Sequence, residues 1–313
     1  MKVCYFIHSY KLPEQIYRLV NLINNESPDS LIVVSHDSQG CAISEEKLQT
    51  LPNVVLLYGK GGRGDFLTIQ KLLDGIDFLL KNKFDFDWFV HLSAQDYPVK
   101  PIQEIEQCLS QSNFDGFLEY ENLLTSPNAK KVRESKSRYF YKYKKITNQL
   151  LELAKTWLKP VKILNYLQPL LRIDCAYGLT IGLRQSTPFN ENFIGYRGYF
   201  FCTLSRQCIN YLHEYCQENQ KIIKYFKSVS VPENLVLQTI LLNSKKFKFV
   251  NDSQTYSDFS QSTNGHPSVL ETKDLPNIFA SQKHFARKFD INRDRQVLDL
   301  IDSKIMKNVC KTR

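Results

Sequence analysis

Over its first 120 residues this chain alternates short apolar runs with segments whose apolar positions recur every three or four residues, and this alternation limits the fold more than any other feature. VCYFI (3–7), LIVVS (31–35), VVLLY (54–58), WFVHLS (88–93) and GFLEY (116–120) read as strands. LIVVS and VVLLY are apolar without a break, the pattern of strands covered on both faces. Between them, Pro13 to Ile23 sets Ile16, Leu19, Val20 and Ile23 on one helical face, while Phe66 to Leu80 and Ile102 to Leu109 also read as helices. Strands separated by helices imply a mostly parallel sheet covered on both sides. Such sheets bind ligands just beyond the carboxyl ends of their strands. Those strand tips are where chemistry is expected.

Residues 121–170 interrupt the pattern with a charged, tyrosine-rich stretch that reads as a basic helical excursion. Strand-like and loop-like pieces return over about 173–204. Helical stretches follow at Ser205 to Gln217 and Val231 to Leu242, then a polar loop (251–265) and a terminal helix from about Arg293. No linker long enough to separate independent domains is visible, so residues 1–313 read as one α/β domain with three stretches, 1–120, 121–170 and 171–313. With 42% hydrophobic residues the chain is neither disordered nor collagen-like. A chain this long buries roughly 75% of its unfolded surface. No uncharged apolar window of about 18 residues is present, so no transmembrane helix is expected. The opening MKVCYFIHSY reads as a first strand rather than a targeting leader.

The eight cysteines (4, 41, 108, 175, 202, 208, 216 and 310) form no CxxC pair, which points away from a zinc cluster or a thioredoxin-type site. Cys4 in a strand and Cys108 in a helix read as small buried thiols, and a reducing cytoplasm is the simplest setting. Charge is less evenly spread. Between Ala129 and Lys162 stand eleven basic residues and two acids, a local net of +9 that equals the net charge of the whole chain. Such a patch suits a phosphorylated ligand, an anionic membrane or a nucleic acid, or is simply a solvated helix face. Nucleic-acid binding is not expected, because RNP, zinc-finger and helix-turn-helix signals are missing.

Two acidic motifs flank the WFVHLS strand. Asp85-Phe86-Asp87 has the Asp-x-Asp form that can hold a divalent metal. It precedes the strand, however, and lies at the wrong end of the sheet, so a solvated turn is expected and no metal ligand is assigned. HLSAQDYPVKP follows the strand and delivers Ser93, Gln95 and Asp96 to the ligand side. Taken alone, Asp96 and Pro98 could merely build a turn.

The string HLSAQDYPVK resembles the Ser-Gly-Gln-Asp-(Tyr/Phe)-Pro-(Ile/Leu)-Lys segment of the core-2/I-branching N-acetylglucosaminyltransferases and peptide O-xylosyltransferases, glycosyltransferase family 14, with Ala94 at the glycine position. Further segments resemble that family in the same order, over about residues 2–290. They are the opening strand and helix, VVSHDS with Asp37, GYFFCTLSRQCINYL (198–212) with Phe201 at a tryptophan position, VPENLVLQTILLNS (231–244), and HPSVLETKDLPNIFASQKHFARKFD (266–290). The resemblance implies a GT-A-like fold and an inverting, metal-independent transfer of N-acetylglucosamine or xylose from a UDP-sugar to a glycan, lipid-linked or protein hydroxyl. It makes 1–120 the nucleotide-binding half and 171–313 the acceptor and catalytic half with a closing C-terminal segment. Asp37 would contact the uracil, and Arg287 and Lys288 the diphosphate. Gln95 and Asp96 would shape the donor-sugar or acceptor site. The donor is a co-substrate, and no cofactor is expected.

The physical need is clear. A departing UDP carries two or three negative charges, and fixed cations can stabilise them as a metal would. Arginine offers a planar fork and lysine a point charge. Inversion also needs a base for the acceptor proton. Glu233 is the candidate and Asp96 the runner-up. The family usually carries its base one position later, where this chain has Asn234, an amide that cannot serve. Successive helical residues point about 100° apart, so Glu233 does not automatically take over. Ser230-x-x-Glu233 also fits a helix capping box. A catalytically weakened UDP-sugar-binding protein is the alternative. His36 and His266 could line the donor pocket, although a core or solvated role is the simpler reading. Gly61-Gly62-Arg63-Gly64-Asp65 lacks phosphate-loop spacing and reads as a turn before the next helix. Trp88 and Trp157 read as packing residues. Lacking an anchor, the chain is expected in the cytoplasm, with the 129–162 segment touching the inner face of an anionic membrane.

Overall fold

The structure, a computed structural model, describes residues 1–146, 165, 169–175, 178–260 and 266–312. Its strands are β1 (Val3–Ser9), β2 (Leu31–Asp37), β3 (Val54–Gly59), β4 (Trp88–Ser93), β5 (Tyr97–Pro98), β6 (Gly116–Phe117), β7 (Glu121–Asn122), β8 (Tyr141–Lys145), β9 (Leu171–Asp174), β10 (Thr180–Arg184), β11 (Tyr196–Arg197), β12 (Thr203–Ser205), β13 (Phe249–Val250), β14 (Thr255–Ser257) and β15 (Phe285–Arg287). Seven of them form the central sheet in the order β13-β6-β12-β4-β1-β2-β3. β4, β1, β2 and β3 are parallel neighbours, and β13 is parallel to β6, while β12 runs antiparallel between β6 and β4. The mostly parallel, helix-covered sheet expected from the sequence is present.

Both sheet faces are apolar because successive side chains of the inner strands point to opposite sides and both sets are buried. Val3, Tyr5 and Ile7 of β1 join the core under the helices Pro13–Glu26, Ile102–Ser110 and Gln296–Thr312. Cys4 and Phe6 join the other core, beneath Leu67–Lys81, Arg206–Glu218 and Val236–Asn243. Gly75 sits in the middle of Leu67–Lys81 because a Cβ there would lie 2.3 Å from the Phe6 ring. The glycine lets the helix approach the sheet closely, at a cost in helix propensity.

Several local expectations change. The strand at 116–120 shrinks to Gly116–Phe117, after which Leu118 N donates to the carbonyl of Val250. The basic excursion is only partly helical. Ala129–Tyr139 is a helix capped by Asn128, whereas Tyr141–Lys145 is a strand paired with β10. Its YKYKK sequence has period two, burying Tyr141 and exposing Lys142 and Lys144. Lys131 is paired with Glu121 and Arg138 with Glu134. Trp157, Lys155, Lys159 and Lys162 lie outside the described residues. Trp88 packs beside Phe117, as expected. Cys108 is exposed rather than buried, because its helix turns Ile102, Ile105 and Leu109 inward. Among the described residues, no helix is long and apolar enough to cross a membrane.

Candidate active site

At the carboxyl end of β4 the chain turns through Ser93-Ala94-Gln95-Asp96. The Asp96 carboxylate accepts the Ser93 amide through Oδ2 at 2.7 Å, and the Gln95 amide donates to Ser93 Oγ at 3.0 Å. The turn leads into β5, which pairs with β15 so that Tyr97 faces Ala286 and Pro98 faces Phe285. The closing segment is thereby laid against the Gln-Asp turn. Arg287 Nε stands 3.3 Å from Asp96 Oδ1, with the arginine side chain 12% exposed and the aspartate fully buried. The guanidinium lies over the Phe201 ring, 4.5 Å from its centroid, with Tyr199 at 5.5 Å. Phe201, at the family's tryptophan position, thus supplies an aromatic platform for the cation.

This ion pair lacks hydrogen-bond geometry. Asp96 Oδ1, Arg287 Nε and Nη1, and the Tyr199 and Ser257 hydroxyls are all buried without a hydrogen-bond partner. Unmet polar groups of this kind are costly, and here they leave guanidinium N–H groups unspent. Burial works against the Arg287 charge, and Asp96 together with Tyr199 and Tyr10 more than restores it, so its pKa is raised. Burial also pushes the Asp96 carboxyl upward, opposed by Arg287 and the Ser93 amide.

Gln95 is committed elsewhere. Its Nε2 donates to the carbonyl of Phe289 at 3.1 Å, and its own carbonyl accepts the Phe289 amide at 2.9 Å. Gln15, fully buried in the first helix, adds bonds from Nε2 to the carbonyls of Ala94 and Phe289 and accepts the Ile291 amide. Two glutamines therefore stitch the Gln-Asp turn to the closing segment. Phe285 and Phe289 are buried on either side, so the basic pair is carried on packed backbone.

Lys288 is half-buried beside a group of cations. Burial lowers its pKa first, then Lys11 and Arg287, with Arg63 adding and Asp290 opposing. His266, predicted as a pocket or solvated residue, is exposed and is held down by burial and then by Lys288, Arg63 and Arg287. Lys11 is paired with Asp290 at 3.3 Å, and Arg63 leans on the Tyr10 ring. Like charges gathered this closely favour an anionic ligand.

Asp37 closes β2 at the same edge. Its Oδ1 accepts the amides of Gln39 and Gly61, and a Cβ on Gly61 would lie 2.0 Å from Oδ2. Only glycine can pass the carboxylate there. The rest of the loop forms the turn expected before the helix, with Gly64 at φ 69° and Asp65 Oδ1 accepting the Leu67 amide. His36 is a core residue, bonded to Ser9 Oγ and the Cys41 carbonyl.

Glu233 lies in the segment bonded to the glycine loop at Gly64. The expected helix from Val231 does not start there. Val231 takes φ 54° and gives its amide to the Gly64 carbonyl, Pro232–Asn234 is a 3-10 turn, and the α-helix is Val236–Asn243. The Ser230–Glu233 capping box is not formed. Glu233 Oε2 is instead buried without a partner. Burial lifts this carboxyl to about 7, against its own backbone amide and then Arg138, with Asp65 reinforcing the rise. The Asn234 carbonyl accepts the Gly198 amide, one residue from Tyr199.

Asp85 and Asp87 stand at the opposite sheet edge, where Lys2 contacts both and Arg206 approaches Asp85 at 3.9 Å. A surface cavity opens at that edge between Lys2, Asn53, Phe84 and Asp85, remote from the strand tips. No role is assigned from sequence to Gln15, Tyr199, His91 or Lys71, although all but Lys71 lie within the family-like segments. Gln15 and Lys71 do leave a signal, each being a polar residue among the inward positions of an amphipathic helix.

The sequence profile of the Core-2/I-branching enzyme family matches residues 62–281. Beta-glucuronosyltransferase GlcAT14B of Arabidopsis thaliana is 23% identical over 299 residues, covering 92% of this chain and 59% of that protein. GlcAT14A of the same plant is 24% identical over 243 residues, covering 76% and 47%. The chain spans about half the length of these curated relatives. Among solved structures, an active-site mutant of LgtC aligns over 92% of this chain and 87% of its own at 9% identity and TM-score 0.38. Staphylococcus aureus TarS 1-349 in complex with UDP-GlcNAc aligns over 47% and 40% at 12% identity and TM-score 0.29. The profile match takes in most of the chain, from the glycine loop to the helix before the basic pair, and the chain belongs to the Core-2/I-branching enzyme family, glycosyltransferase family 14.

Proposed function

We propose that this chain is an inverting glycosyltransferase that uses a UDP-sugar and stabilises the departing diphosphate with Arg287 and Lys288 instead of a metal. The observation that supports it most is the placement of the basic pair. Arg287 stands at the strand tips beside Asp96 with buried N–H groups unspent, and Lys288 lies among Lys11, Arg63 and His266. In the reaction the acceptor hydroxyl oxygen attacks the anomeric carbon, the carbon–oxygen bond to the diphosphate breaks, and UDP leaves. The acceptor proton passes to Glu233, whose carboxyl near 7 is matched to that task. Fixed cations that need no rearrangement meet the charge developing on the leaving group. Asp37 accepts from the uracil N3–H through its carboxylate, and Asp96 orients Arg287. The acceptor is a glycan, lipid-linked or protein hydroxyl. The exposed Lys142, Lys144 and Lys145 support contact with an anionic membrane on the cytoplasmic side.

A donor-binding protein without transfer is the second reading. It is favoured by Asn234 at the usual base position. The purified protein should be given UDP-GlcNAc, UDP-xylose and UDP-glucuronic acid, the last because both curated relatives are named as glucuronosyltransferases. Transfer or hydrolysis of one donor, undiminished by EDTA, is expected. Activity lost in EDTA and restored by manganese would refute the cationic mechanism, and UDP binding without turnover would select the second reading.

A further inference from the structure

Lys71 is a lysine in the wrong place for a surface charge. It lies on Leu67–Lys81 among inward-facing positions, one turn before Gly75, and is only 8% exposed. Its stem runs across the last residue of β3, where a Cβ on Gly59 would meet Lys71 Cγ at 2.8 Å. Its charge acts on two other strand tips. Burial lowers the Lys71 pKa to about 8, with Asp37 at the end of β2 opposing, and His8 near the end of β1 is held down by burial, then His91, then Lys71. Gly59, which the stem crosses, is the ladder partner of Asp37, so the Lys71 side chain lies at the tips of β2 and β3. Among the described residues no carboxylate lies within ion-pair distance of it and no hydrogen bond satisfies its three donors. The stem is buried, but Nζ is not among the wholly buried unpartnered atoms, so the amine reaches the surface at the strand tips with its donors free for a ligand.

The position indicates which portion of a ligand. The cations suited to a diphosphate, Arg287, Lys288, Lys11 and Arg63, form a separate group. Lys71 shares its corner with Asp37, and a lysine beside a carboxylate is nearly neutral overall. Such a pair suits an uncharged edge that offers a donor next to an acceptor. Uracil presents that edge, with N3–H flanked by two carbonyl oxygens.

We infer that Lys71 is a base-reading residue, donating to a uracil carbonyl while Asp37 accepts the neighbouring N3–H. This rests on the donor assignment proposed above and extends it to a residue that no motif marks. The test is the Lys71→Met variant, which keeps the stem against Gly59 and removes a charge that burial disfavours, so its thermal midpoint should hold or rise. UDP and UMP should both bind about 10- to 100-fold more weakly than to the unaltered protein, the scale of one charged hydrogen bond. Competition by inorganic pyrophosphate should be unchanged. UDP and UMP affinities within twofold of the unaltered protein would overturn the inference, as would an equal loss of pyrophosphate affinity, which would place Lys71 on the phosphates. Failure of the unaltered protein to bind UDP would instead overturn the donor assignment itself.

Discussion

Replacing Glu233 by glutamine separates catalysis from stability at one carboxyl. The residue is half-buried with its Oε2 atom buried and unpartnered, and its pKa is about 7 in the fold against an ordinary 4.5. The folded protein therefore holds this proton more tightly than the unfolded chain does. The stability linked to it is complete below about pH 4.5 and is lost as the pH rises toward 7. A difference of two to three pKa units corresponds to about 3 kcal/mol at neutral and higher pH. Glutamine keeps the shape and cannot ionise, so Glu233→Gln should be more stable than the unaltered protein at pH 8 by up to about 3 kcal/mol, with little difference at pH 4.5. Urea unfolding at several pH values measures this directly. Turnover should move the other way, falling by about 10²- to 10⁴-fold if Glu233 takes the acceptor proton. In the unaltered enzyme kcat/KM should rise through pH 7 as the carboxylate forms. A stability difference that does not change with pH would refute the buried-acid reading, and undiminished turnover would refute the assignment of the base.

Two further outcomes follow from the closing segment. Asp96→Asn leaves the Arg287 guanidinium buried without its carboxylate and should cost about 3–5 kcal/mol in urea unfolding, as breaking one side of a buried pair does; a cost under about 1 kcal/mol would show that the pair is not what holds Arg287. Gln15→Leu strands the Ile291 amide and weakens the hold on the Ala94 and Phe289 carbonyls, and should cost about 2–4 kcal/mol with two unmet groups. Hydrogen exchange should then quicken over residues 285–291 before the central strands, and uniform protection would contradict the stitching role.

The sheet was legible because its inner strands are plain apolar runs, and the helix faces because their spacing is regular. Other regions depend on contacts that no local pattern records. YKYKK reads as a piece of a basic helix because its charge hides a period of two, and only pairing with β10 turns it into a strand. The helix at Val231 starts late because Val231 takes a left-handed conformation to reach Gly64, a choice invisible in VPENLVLQ. Arg287 and Asp96 could be named from motifs, yet their ion pair joins segments far apart in sequence and appears only once β15 is laid on β5. Gln95 carried the motif signal, but its amide is spent on the Phe289 backbone. Lys71 is readable as a cation at an inward position, yet no motif contains it.

Turnover of a UDP-sugar by the Lys288→Ala variant in the presence of EDTA tests the cationic mechanism most directly. Lys288 is half-exposed and pairs with no carboxylate among the described residues, so the variant should melt at the temperature of the unaltered protein. The account predicts a loss of about 10²- to 10³-fold, the scale of removing one preorganised group from a developing negative charge. Near-normal turnover by a folded Lys288→Ala protein would contradict it.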